Sequence, residues 1–176
     1  MIVLSKEPAN LLAAALGLAG AGLVTLGAFA DWYTISIGGV TAPGGSATGW
    51  EGRDGRTVVA GAAICAVAAV LVALDSRRLA PKLALVIAGF ATLVIAVAGI
   101  VDTTGKAEQV EQEFAIPAGR VSASVGPGLW VVAVGGALEL AGGVAAHRAD
   151  LGAAGVRSRR ELLRRRSGGS AAEAAR

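Results

Sequence analysis

The chain has 176 residues, 54% of them hydrophobic and only 16% charged, with a net charge of +3. Soluble domains carry about 25% charged residues, so the composition excludes an ordinary soluble domain and points to long apolar membrane segments. A single cysteine, Cys65, excludes an intrachain disulfide.

In chain order, residues 1–10 are a short polar lead in which Pro8 suits the first turn of a helix. Residues 11–30 carry no charge; at 1.5 Å per residue they reach about 30 Å, the thickness of a bilayer's hydrocarbon core. Ala28-Phe29-Ala30 also has the small-x-small form of a signal-peptide cleavage site. The apolar run is longer than such peptides use, and Lys6 is offset by Glu7, so an uncleaved first span is expected.

Residues 31–56 are polar and turn-rich. The alternation Tyr33-Thr34-Ile35-Ser36-Ile37 before Gly38-Gly39 predicts a short β-hairpin. Pro43, Gly44 and Gly45 are expected to interrupt it, and Asp54-Gly55 to form a turn. Residues 57–74 form a second span containing Cys65. Residues 75–82 are a connection short enough to make the flanking helices antiparallel neighbours. Residues 83–101 form a third span, with Thr92 its only polar side chain. Residues 102–127 form a second long loop. It holds a helical, acidic stretch over 106–114 and an alternating Val121–Val125 that could pair with the first strand. Residues 128–146 are a fourth span, followed by a basic tail from His147 to Arg176.

The expected fold is therefore an all-α membrane protein, a four-transmembrane-helix bundle with a small extracytoplasmic β-hairpin or sheet cap. Lys and Arg set the orientation. Eight lie in the tail, three in the 75–82 connection and one in the lead, against two in each long loop. Both termini are expected in the cytoplasm of a bacterial cell whose Ala, Gly, Val and Arg bias suggests a GC-rich genome.

Glu139 is the unusual residue, an acid set near the middle of the fourth span. A charge there costs at least about 2.5–3.5 kcal/mol, so such a residue faces the bundle interior or water. Gly135 and Gly143 lie four residues to either side and predict a close helix contact on that face. Thr92 and Cys65 fall at matching depth, with Thr92 the preferred hydrogen-bond partner. No basic residue is available at that depth, which favours the neutral acid. The site is then either a proton- or cation-linked group, a contact to a partner, or a protonated acid bonded between helices or at an oligomer seam.

Trp32, Tyr33, Trp50 and Trp130 read as interface aromatics. The tail residues Arg157, Arg159, Arg160, Arg164, Arg165 and Arg166 could bind anionic membrane lipids or an acidic partner, or could simply fix topology. The absence of interleaved aromatics argues against nucleic acid. One histidine and one cysteine make no zinc set. No nucleophile–base pair, phosphate loop or dinucleotide fingerprint is present, so no catalytic residue, metal or cofactor is expected.

Asp31-Trp32-Tyr33, Gly49-Trp50, Asp54-Gly55, Arg77-Arg78 and the Gly126–Trp130 stretch GPGLW resemble small four-span membrane proteins of actinobacteria. The tryptophan-operon-associated membrane proteins are one such group. The resemblance implies a fold and a cell membrane, not an activity. The topology alone is also similar to that of claudins. The first long loop lacks the cysteine pair of that family, and Gly128-Leu129-Trp130 opens a span instead, so claudin function is not implied. The expected role is a non-enzymatic accessory or interaction subunit, with another membrane protein or further copies of itself as partner. The alternative is a self-assembling permeability, transport or phage- or defence-related protein that uses Glu139.

Overall fold

In the computed structural model, residues 8–74 and 78–149 are described. Four helices in this range are long and apolar enough to cross a membrane: α1 (Pro8–Phe29), α2 (Arg53–Leu74), α3 (Leu79–Glu113, apolar over Leu79–Thr103) and α4 (Pro127–Ala149). A three-stranded antiparallel sheet of β1 (Asp31–Ile37), β2 (Val40–Thr48) and β3 (Val121–Val125), ordered β2-β1-β3, caps one end.

The helices run alternately up and down, and glycines set which of them touch. A Cβ at Gly27 would lie 2.8 Å from the Gly128 carbonyl oxygen, one at Gly20 2.6 Å from that of Gly135, and one at Gly142 2.8 Å from that of Ala13. These three contacts descend α1 and α4 in steps of seven, the spacing that keeps one seam facing a partner helix. Small residues along the seam let the two backbones approach closely. On the other flank of α4, Gly136 meets Thr92 and Leu93 of α3, and Gly143 meets Val86. Gly17 of α1 meets Ala69 of α2 and Leu85 of α3. Each helix thus packs on its sequence neighbour, and α1 closes the bundle on α4. By contrast, Gly22 has no protein atom within 4 Å of where its Cβ would lie. It opens on a shallow apolar groove with Leu18, Leu26, Val59 and Ala63.

The cap is built from the expected strands. Tyr33 pairs with Val125 and Ile37 with Val121, while β1 pairs with β2 on its other edge. Gly38 and Gly39 both have positive φ, 61° and 84°, the requirement of a type I′ hairpin turn. Pro43-Gly44-Gly45 does not end the hairpin. The segment is accommodated inside β2 as an irregularity opposite Ile35, where pairing shifts from Thr34–Ser46 to Ser36–Thr41. Proline is tolerated here because β2 is an edge strand.

Two other expectations change. Asp54-Gly55 is not a turn but the first turn of α2, where Asp54 suits the positive end of the helix dipole; Gly55 lies against the backbone of Gly49. The acidic stretch after residue 101 is no separate helix. It continues α3 to Glu113, making a rod of 35 residues and about 52 Å that carries its last turns alongside the sheet. No proline interrupts this stretch, and Lys106 pairs with Asp102 one turn earlier at 3.6 Å. The rod ends where Ala115 takes a positive φ of 50° and the Ile116 N–H donates to the Glu111 carbonyl.

Candidate functional site

Glu139 is fully buried, and the bundle is built tightly around it. From α1, a Cβ at Gly20 would fall 2.8 Å from Glu139 Cγ. From α3, one at Gly89 would fall 2.9 Å from Glu139 Cβ. The Cβ and Cγ of Glu139 are therefore clasped between two glycines on different helices, in space that no larger residue leaves open. The Cys65 thiol of α2, also fully buried, lies near enough to couple to the carboxyl electrostatically. Neither carboxyl oxygen completes a hydrogen bond of ordinary geometry. Leaving such a group unsatisfied costs about 1–3 kcal/mol.

This arrangement corrects the expected hydrogen bond from Thr92. That residue is buried at the same level, but it packs its methyl against Gly136 and bears no bond to the acid. Gly135 and Gly143 also act differently from expectation. Eight residues advance a helix by about 80° beyond two full turns, so the two glycines straddle Glu139 instead of sharing one contact. Gly135 receives Gly20 and Val24 of α1; Gly143 receives Val86 of α3. The site lies within one chain, not at a seam between copies.

The core layers next to Glu139 are apolar, and the fully buried polar side chains Asn10 and Lys82 lie further off, near the helix ends away from the cap. Toward the cap lie Val24, Val58, Ala62, Ala96, Leu129 and Val132; toward the other end lie Ala13, Ala69, Val72, Leu85 and Ala146, all at most 1% exposed. Thr103 is buried near the cap, but its hydroxyl donates to the Gly99 carbonyl of its own helix.

The four aromatics separate into two kinds. Trp32 is 9% exposed and is no interface anchor. A shift in pairing between Asp31 and Tyr33 accompanies it, a bulge of the kind that re-aims a side chain, and its indole plugs the cap end of the bundle. There the ring lies against Gly49 and Gly128, and Nε1 donates to the Gly27 carbonyl at 3.1 Å. Tyr33 is half-buried in the cap, with the Lys106 ammonium 3.9 Å from its ring centroid. Trp50 and Trp130 are 43% and 57% exposed near the cap end of the bundle, and Trp50 packs on Phe29 at 5.1 Å between ring centroids.

Sequence reasoning placed Cys65 at Glu139's depth but did not connect Gly20 or Gly89 with the acid. The heptad spacing of Gly20 with Gly27, mirrored by Gly128, Gly135 and Gly142, was the available signal. The association of Tyr33 with Lys106 had none, because it joins positions 73 residues apart. The arginines at 157, 159, 160, 164, 165 and 166 lie outside the described residues. Among the described residues no group of His, Cys, Asp and Glu could hold a metal ion. The sequence matches no protein-family model and none of the curated proteins.

Proposed function

We propose that this chain is a multi-pass protein of a bacterial cell membrane that works as a non-enzymatic interaction subunit, its four spans holding the cap in a fixed pose. One observation carries the reading. Glu139, the only acid at mid-span, is sealed by apolar layers on both sides and by backbone contacts at its flanks. A permeation path would need polar groups in succession; among the described residues the interior holds Glu139 and Thr92 at mid-span and Asn10, Lys82 and Thr103 near the helix ends, with apolar layers between these levels. The residues exposed to other molecules lie on the outer faces of the helices and on the cap.

The Lys and Arg distribution supports cytoplasmic termini and a tail that meets anionic lipid or an acidic partner. The reading is tested by affinity purification from membranes in a mild detergent, beside ion flux through liposomes holding the purified protein. Recovery in a larger complex of different membrane proteins, with no flux, is the expected result. A stable homo-oligomer that passes ions, and loses the flux on Glu139→Gln, overturns it in favour of a self-assembling permeability protein.

A further inference from the structure

Between the sheet and the cap-end turns of α2 and α3 lies a cavity of about 260 Å³. This is just under the roughly 300–1,000 Å³ of sites that take drug-sized ligands, so its size suits a small solute or a single side chain. Its walls include the aromatic residues Trp32 and Tyr33 and three carboxylate residues, Glu51, Asp54 and Asp102. The one cation lining it is Lys106. Its ammonium sits 3.9 Å from the Tyr33 ring centroid and 3.6 Å from Asp102.

Three features agree on the chemistry. Carboxylates outnumber the cation, so the cavity favours a further positive charge. The Tyr33 face attracts cations through its ring quadrupole. An ammonium group already occupies that face, which shows that the geometry accepts one. The nearby basic residues do not neutralise the cavity: Arg53 and Arg56 are absent from its walls, and Arg56 Nε donates to the Trp50 carbonyl. Lys106 is held loosely. Asp102 is largely exposed, and an exposed ion pair or cation–π contact is weak. On a helix surface, a lysine side chain swings aside at little cost.

We infer that this cavity is a binding site for a small organic ammonium group, kept filled by the chain's own Lys106 until an outside amine displaces it. The same chemistry could be presented by a free amine or by a lysine side chain of another protein.

The test uses the full chain in detergent with Trp50→Phe and Trp130→Phe, which leaves Trp32 in the cavity wall as the only tryptophan. Trp32 fluorescence is followed during titration with methylammonium and tetramethylammonium, against sodium chloride at equal ionic strength. A saturable change with both amines and none with sodium is expected. Lys106→Met removes the internal occupant and is expected to tighten binding about threefold; Asp102→Asn and Tyr33→Leu are expected to weaken it about two- to fivefold each. The inference is overturned if sodium reproduces the change, if neither amine saturates, or if Lys106→Met leaves affinity unchanged or lower. Should Tyr33→Leu fail to fold, Lys106→Met and Asp102→Asn decide the matter. N-acetyl-lysinamide separates the sources. Binding tenfold tighter than methylammonium assigns the site to a partner's lysine, and equal or weaker binding assigns it to a free amine.

Discussion

Gly20 and Gly135 press backbone on backbone, so that a methyl group on either would meet the other's carbonyl oxygen at 2.6–2.8 Å. That contact holds α1 against α4 at the level of Glu139, and its chemistry can be probed one atom at a time.

Gly20→Ala is expected to destabilise the protein by about 1–3 kcal/mol, because the added methyl meets backbone that cannot step aside. Gly22→Ala, one turn-face away and open, is expected to be neutral or to stabilise by about 0.5–1 kcal/mol through helix propensity. Thermal unfolding in detergent reads both. Equal effects of the two substitutions would mean that the seam is not where the glycines put it.

Glu139→Met removes an unsatisfied polar group and keeps an unbranched chain, which suits the gap between Gly20 and Gly89. It is expected to raise stability by about 1–3 kcal/mol. Glu139→Leu, branched at the Cγ that already faces Gly20, is expected to be less stable than Glu139→Met while still inserting. If Glu139→Met unfolds the protein, the contact between the carboxyl and the Cys65 thiol is a hydrogen bond that folding depends on. The comparison is made by chemical denaturation at fixed detergent concentration.

Trp32→Ala is expected to cost about 3–5 kcal/mol, the usual range for emptying a buried tryptophan site. Trp32→Phe should be milder, losing the indole bond to Gly27. Trp130→Phe, at an exposed ring, should stay within about 0.5 kcal/mol. Melting temperatures of the three variants, measured side by side, check the order.

The four apolar runs were legible because a bilayer-length stretch without charge has few other uses. The β1–β3 pairing was legible too, since Tyr33–Ile37 and Val121–Val125 both alternate with a period of two. What could not be read was which glycine serves which neighbour. Gly135 and Gly143 look equivalent around Glu139 along the sequence, and only the three-dimensional arrangement assigns one to α1 and the other to α3. Trp32 misled for a related reason. A tryptophan at a helix exit has the same sequence context whether it meets lipid or, through a strand bulge, folds back over the helix ends. The continuity of α3 past Thr103 was hidden by the change from apolar to polar composition, which alters what surrounds a helix without ending it.

A cysteine at Ser46, an exposed position on β2, should react with an impermeant thiol reagent on intact cells. One at Ser158, outside the described residues, should react only after lysis. The reverse pattern would place the cap in the cytoplasm and remove the basis for the proposed orientation. Cys65 is buried and should leave the background low.

The seam between α1 and α4 also has a consequence for biosynthesis. The partners Gly20 and Gly135 are separated by about 115 residues, which a ribosome adding 5–20 residues each second makes in roughly 6–23 s. Throughout that interval the first span must remain in the bilayer with its glycine face uncovered. It is available to any other small-faced helix until the last span arrives to claim it. A chain truncated before Gly128 would never complete this step. It should remain a substrate for membrane quality control, whatever the quality of its first three helices.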